Sequence, residues 1–255
     1  YILTVTGPNG CTTTATATVA PDANIPNASA SGGTLDCTVS SLVISGNSTT
    51  PGATLVWSGP NSFTSNLPSP TVSDPGSYIL TVTNPANGCT ALATANVNLD
   101  DVAPGATATG DTITCTLPTI TLVGNTQASN VSWSWTGPGA FTSTSQNPTT
   151  IDAGTYNLTV TGANGCTSVA TVDVAADQII PQASATTGTL TCAQATLVLN
   201  GSATLPVTYS WDGPNNFISN QQDPSINQPG DYTVTVTAAN GCTDVETVTV
   251  AQDIA

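Results

Sequence analysis

The sequence predicts an all-β chain of tandem β-sandwich domains strung in an extended array, and three observations carry that reading. First, one phrase recurs: YILTVTGPNGCT from Tyr1, YILTVTNPANGCT from Tyr78, YNLTVTGANGCT from Tyr156 and YTVTVTAANGCT from Tyr232. Its intervals of 77, 78 and 76 residues are too long for a solenoid coil and suit a small domain with its own core. Second, apolar and polar residues alternate with a period of two in the segments between turns. Third, those segments are rich in Thr and Val and punctuated by Gly-Pro and Asn-Gly, the pattern of short strands joined by tight turns. The domains expected are residues 24–100, 101–177 and 178–255, preceded at 1–23 by the C-terminal strands of a truncated repeat. A chain that starts inside a strand reads as a window on an array continuing beyond residue 1.

Each repeat opens after a linker proline with NASASGGTLDC (27–37), GATATGDTITC (105–115) or QASATTGTLTC (182–192). The glycine inside this strand predicts a bulge or a switch between sheets. The next strand alternates, with Leu42 and Ile44, Ile120 and Leu122, or Leu197 and Leu199 on the core face. The third strand carries the aromatic anchor: Leu55 and Trp57, Trp133 and Trp135, or Tyr209 and Trp211 lie two apart and share a face. The turns SGPNSF, TGPGAF and DGPNNF follow, where Gly-Pro breaks the strand and Phe63, Phe141 or Phe217 returns to the core.

A tyrosine stands 21 residues after Trp57, Trp135 and Trp211, at Tyr78, Tyr156 and Tyr232, with glycine two residues before it. This resembles a tyrosine corner, in which the phenol bonds back to the preceding turn. Trp57, Trp135 and Trp211 with Tyr78, Tyr156 and Tyr232 are therefore the expected structural core. Asn-Gly then supplies positive φ angles for a hairpin into the last strand. The repeated phrase is thus a corner, a core strand, a hairpin and a cysteine anchor.

Seven cysteines stand at 11, 37, 89, 115, 166, 192 and 242. Without Cys-x-x-Cys pairs or any histidine, zinc is a poor reading, and disulfides in an oxidising, extracellular setting are the better one. Pairing Cys11 with Cys37 would require bridging back along a strand of about nine residues, roughly 30 Å. The expected pairs therefore lie within units: Cys37 with Cys89, Cys115 with Cys166 and Cys192 with Cys242. Cys11 is left with a partner upstream, or as a free or intermolecular thiol.

The chain contains no Lys, Arg or His against 15 acidic residues, and its formal charge is −15. Nothing here neutralises phosphates, so nucleic acid and anionic membrane surfaces are not expected partners. No ordinary general base near neutral pH and no Schiff-base amine is present, so an enzyme is not expected and no catalytic residue is assigned. The absence of lysine also excludes intramolecular isopeptide crosslinks. No apolar run reaches the length of a membrane span. No cofactor is expected. The linker aspartates Asp22, Asp100, Asp101, Asp177 and Asp253 raise interdomain calcium as an alternative, although one or two carboxylates per junction fall short of the six to eight oxygens Ca²⁺ prefers.

With these motifs in place, each unit resembles the PKD-like and immunoglobulin-like repeats of bacterial cell-surface proteins. It is most similar to the SprB-type repeats of gliding-motility adhesins, whose units end in G-x-Y-x-V-x-V-T-x-x-x-G-C and carry an earlier cysteine. The matching phrases are GSYILTVTNPANGC, GTYNLTVTGANGC and GDYTVTVTAANGC, with Cys37, Cys115 and Cys192 as the earlier cysteines. The resemblance implies tandem immunoglobulin-like sandwiches in a secreted adhesin, stalk or filament on the cell surface, with no catalytic residues.

Two functions follow as expectations. One is structural: the shaft of an extracellular filament or giant adhesin, each repeat held by one intradomain disulfide, its partners being neighbouring repeats in a homopolymer or a long single chain. The other is a binding module for carbohydrate or another surface, using the Trp–Phe loops and possible surface glycans as ligands. Thr-x-Thr runs as an ice-binding face, and the sequons at Asn27, Asn47, Asn130, Asn157 and Asn200 as glycosylation sites, are the weaker readings.

Overall fold

Thr- and Val-rich strands dominate because β-branched side chains suit a pleated, half-buried surface. The structure, a computed structural model, describes residues 1–253 and divides into two compact units. One holds residues 1–103 with the hairpin turn 163–166, and the other holds 104–162 with 167–255. The sequence boundary at 177/178 therefore falls inside the second unit. No helix among the described residues is long and apolar enough to cross a membrane.

In the first unit, Ile2–Thr6 and Thr12–Thr16 form an antiparallel hairpin whose strands are exposed throughout. The sandwich that follows has a five-stranded sheet ordered Gly33–Asp36, Thr90–Asp100, Gly76–Thr83, Thr54–Ser58 and Thr64–Ser65. Facing it, Ser29–Ser31 pairs with Ser45–Asn47 and Leu42–Val43 pairs with Thr71–Val72. The opening strand changes sheets at Gly32, where a Cβ would lie 1.9 Å from the carbonyl oxygen of Asn96. No side chain fits that approach, which is why the strand switches at a glycine.

The second unit repeats this plan twice. A sheet of Phe141–Ser143, Ser132–Gly137, Gly154–Thr161 and Thr167–Val174 serves one sandwich. A five-stranded sheet of Thr189–Thr191, Thr243–Asp253, Gly230–Ala238, Val207–Gly213 and Phe217–Ser219 serves the other. The end of each opening strand runs parallel to the closing strand of its own sandwich: Asp36 opposite Asp100, Thr114 opposite Asp177 and Thr191 opposite Asp253. This register places the cysteine that follows each opening strand at the end of the sheet where the chain leaves.

Each repeat encloses its own core: Leu35, Ile44, Trp57, Tyr78, Leu80, Val82 and Val97; then Ile113, Ile120, Leu122, Trp135, Tyr156, Leu158 and Val160; then Leu190, Leu199, Trp211, Tyr232, Val234, Val236 and Val250. The three Trp and three Tyr anchors have at most 1% of their surface exposed. The Gly-Pro turn and the tyrosine strand interlock. A Cβ on Gly59, Gly137 or Gly213 would come within 2.3–2.4 Å of the Tyr78, Tyr156 or Tyr232 ring, and one on Gly76, Gly154 or Gly230 within 2.6–2.7 Å of Pro60, Pro138 or Pro214. Each phenol donates to a carbonyl four residues back, at Asp74, Asp152 or Gln228. Phe63, Phe141 and Phe217 meet these rings edge-on at 5.2–5.3 Å. The motif W-x-G-P-x-x-F…G-x-Y is therefore one packing unit.

Candidate functional site

The most elaborate polar chemistry gathers at the Asn-Gly-Cys hairpins. In the second unit, the Ala238 N–H bonds to Cys242 O at 2.9 Å and the Gly241 N–H to Ala238 O at 2.9 Å. Gly241 has φ +76°, as Gly88 (+73°) and Gly165 (+72°) do, whereas no hairpin asparagine has a positive φ. This corrects the expectation that both residues of Asn-Gly supply positive φ. The glycine alone does so, and the asparagine is a clamp. Asn87, Asn164 and Asn240 each accept, through Oδ1, the N–H of the cysteine two residues on, at 2.9–3.1 Å.

The other end of the amide reaches the linker. Asn164 Nδ2 donates to Asp100 Oδ1 at 2.8 Å and to Val102 O at 3.0 Å. Asn240 Nδ2 donates to Asp177 Oδ1 at 2.8 Å and to Ile179 O at 3.0 Å. In the first repeat, Asn87 donates instead to Asn24 O at 3.0 Å. The carboxylates of Asp100 and Asp177, weighed above as calcium ligands, thus each receive an amide donor. No group of three His, Cys, Asp or Glu suited to a metal ion occurs among the described residues.

The disulfides join Cys37 to Cys166 and Cys115 to Cys242, with Cα atoms 5.0 Å apart in both. The expected pairs Cys37–Cys89, Cys115–Cys166 and Cys192–Cys242 do not form, and one intradomain disulfide per repeat is corrected accordingly. Cys11, Cys89 and Cys192 are free thiols. The reason lies in the register. Cys37 follows Asp36, which stands opposite Asp100, while Cys89 precedes Thr90 at the far end of the same strand. Ten residues of strand, about 34 Å, separate the two. The distance that excluded Cys11–Cys37 therefore also excludes Cys37–Cys89. What lies beside Cys37 and Cys115 is the Asn-Gly-Cys hairpin of the following repeat in sequence.

Packing completes the junction. A Cβ on Gly165 would lie 2.1 Å from Thr38 Cγ2, and one on Gly241 would lie 2.2 Å from Thr116 Cγ2, so glycine is needed for close approach as well as for φ. The Cys115 N–H also donates to Asn240 O at 3.2 Å. The residue before each strand-end cysteine orders the turn around it. Asp36 Oδ1 accepts from the Thr38 hydroxyl and from the Thr38 and Val39 amides at 2.7–2.8 Å, and Thr114 and Thr191 cap the Leu117 and Gln194 amides at 3.0 Å. Those bonds, the Thr38 hydroxyl first, hold the exposed Asp36 carboxyl below its ordinary value.

No family model matches the chain, and no curated protein matches it. Among solved structures, the chain is similar to one described in work on host cell surface retention of a 1.5-MDa bacterial ice-binding adhesin. The identity is 12%, the match covers 92% of this chain and 100% of that one, and the TM-score is 0.58. It also matches extracellular domains 3–5 of Drosophila OTK at 15% identity, over 92% and 98% of the two chains, with a TM-score of 0.35. The four N-terminal Ig domains of a Dscam1 isoform match at 12% identity, over 91% and 74%, with a TM-score of 0.27. At 12% identity the first match establishes a shared fold and nothing finer. The chain is an all-β protein of immunoglobulin-like β-sandwiches.

Proposed function

We propose that this protein is a structural repeat region of an extracellular filament or giant cell-surface adhesin, of the kind the SprB-type phrase suggests, and not an enzyme. The observation that carries the reading is the disulfide pattern. Both bonds join the strand-end cysteine of one repeat to the hairpin cysteine of the next, which strengthens connections between repeats and leaves each repeat's own core without a bridge. Disulfides also fit an oxidising, cell-exterior location. The repeated phrases within the chain are consumed by packing: the Gly, Pro, Phe and Tyr of the Trp loop hold one another, and the Asn, Gly and Cys of the hairpin hold the junction. A fold shared with a bacterial adhesin agrees with this role. With no Lys, Arg or His, the chain lacks the side chains that ordinarily serve as a general base near neutral pH.

Electron microscopy of native, unproteolysed material tests the proposal through width and axial repeat. A thread one domain wide, beaded every 35–45 Å or so as a ten-residue strand plus linker would give, supports a single-chain shaft. Isolated globular particles of one chain would overturn it.

A further inference from the structure

Three cysteines stay unpaired, and all occupy positions that are disulfide-bonded elsewhere in the same chain. Cys11, like Cys89, follows Asn-Gly in a hairpin, and Cys89 and Cys192 are the two that lie within complete repeats. Cys89 stands where Cys166 and Cys242 stand, after Asn-Gly in the hairpin. Cys192 stands where Cys37 and Cys115 stand, at the end of the opening strand. The local geometry is already built at both. Asn87 Oδ1 accepts the Cys89 amide at 2.9 Å, as in the bonded hairpins. The Gln194 amide bonds to Thr191 Oγ1 at 3.0 Å, matching the Thr114–Leu117 turn beside Cys115. Only the opposing surface is missing. A Cβ on Gly88 would meet nothing within 4 Å, whereas those on Gly165 and Gly241 would strike a threonine of the preceding repeat. The bonded Cys166 and Cys242 have only 2% and 1% of their surface exposed, while Cys89 is half-buried and Cys192 exposed.

We infer that Cys192 and Cys89 are the two open halves of the same inter-repeat staple: Cys192 takes the Asn-Gly-Cys hairpin of a further repeat of this type, and Cys89 takes the strand-end cysteine of another. The partner is a repeat of this type, whether carried on a second copy of the chain or on a continuation of it. The inference rests on the array reading above, and sharpens it to two residues. Each bond forms by exchange with a small disulfide such as oxidised glutathione. Two protein thiols lose two protons and two electrons, the electrons reduce the glutathione disulfide, and one protein disulfide and two glutathione thiols result. The pairing is directional, strand end to hairpin, because Cys89 with Cys89 would bring together two hairpins that lack the threonine or alanine surface that follows a strand-end cysteine.

The test uses the full chain with Cys11→Ser, which removes the other hairpin thiol, in a glutathione redox buffer. Disulfides are mapped by mass spectrometry after acid-stable proteolysis, because trypsin finds no site. A second sample carries an additional copy of residues 181–255 appended to the C-terminus. A ladder under non-reducing conditions that collapses to monomer on reduction, held by Cys89–Cys192 bonds and lost with Cys192→Ser, supports the inference with a second copy as partner. Bonding of Cys192 to the appended hairpin cysteine without a ladder supports it with chain continuation as partner. Homotypic Cys89–Cys89 and Cys192–Cys192 bonds at statistical frequency, or glutathione capping of both thiols in both samples, would overturn it. Filaments seen by microscopy with Cys192 unbonded would sink this inference and leave the array reading standing.

Discussion

Gly59, Gly137 and Gly213 are glycine because a tyrosine ring lies where a Cβ would be, not because of their φ angles, which are extended. Gly213→Ala should therefore destabilise its sandwich by about 1–3 kcal/mol through overpacking, read as a lower melting temperature of the full chain. A second residue-scale contrast concerns the anchors. Trp135 and Trp211 donate their indole N–H to Gln146 O and Gln222 O at 3.2 Å, whereas the buried Trp57 Nε1 has no partner. Pro68 and Ser69 stand where the other repeats have Gln-Asn and Gln-Asp, whose side chains bond across to Gly124 and Gly201. Pro68→Gln with Ser69→Asn should raise the stability of the first unit by about 1 kcal/mol, checked by chemical denaturation; no change would mean the loop cannot adopt the other repeats' path. The phenols of Tyr78 and Tyr232 are held above their ordinary value, by burial first and for Tyr78 also by the Asp74 charge. A raised folded value gives stability that is complete below pH about 10 and is lost as pH rises through it. Melting temperature should accordingly stay level through pH 8–9 and fall beyond about 10, less steeply in Tyr232→Phe. Much at this scale was legible in the sequence: the Trp–Tyr spacing marked both anchors and the corner. The Gly-Pro to Gly-x-Tyr interlock was not, since it joins two turns whose contact depends on how the strands between them pair.

At the scale of elements, the hairpin does more than reverse the chain. Asn240 restrains its own cysteine amide and the linker at once, so Asn240→Ala should lose about 1–2 kcal/mol and speed hydrogen exchange at the Asp177–Ile179 linker, while Asn240→Asp, which keeps only the acceptor, should restore little. If exchange in the linker is unchanged, the Asn240–Asp177 bond is not what orders it. The opening, Trp, Tyr and closing strands and a glycine-marked sheet switch could be read from alternation and glycine placement, whereas the short strands Thr64–Ser65 and Thr71–Val72 and their equivalents are too brief to show a period of two. The cysteine partners could not, because pairing depends on which end of a sheet each cysteine occupies. The signal lay in strand direction: an opening strand parallel to the closing one sends its terminal cysteine to the exit, a full strand length from the hairpin.

For the molecule as a whole, a side-chain charge of −15 with no side-chain cation leaves only repulsion among the ionised groups. Raising sodium chloride from about 10 to 500 mM should screen it and raise the melting temperature slightly; a fall would point to an attractive pair. Each disulfide closes a loop of well over 100 residues, separated by 129 and 127 positions, nominally about 4–5 kcal/mol in the chain-entropy picture. Reduction should therefore lower the melting temperature by many degrees without abolishing the individual cores, which contain no bridge. The two loops also overlap, Cys37 to Cys166 and Cys115 to Cys242, so every peptide bond from Cys37 to Cys242 lies inside at least one of them. A backbone break anywhere in that span leaves two fragments still joined through sulfur. The protein is in this sense redundantly wired: its covalent continuity survives any single lesion between those cysteines, and a tether built this way would fail only when a second cut or a reductant found it.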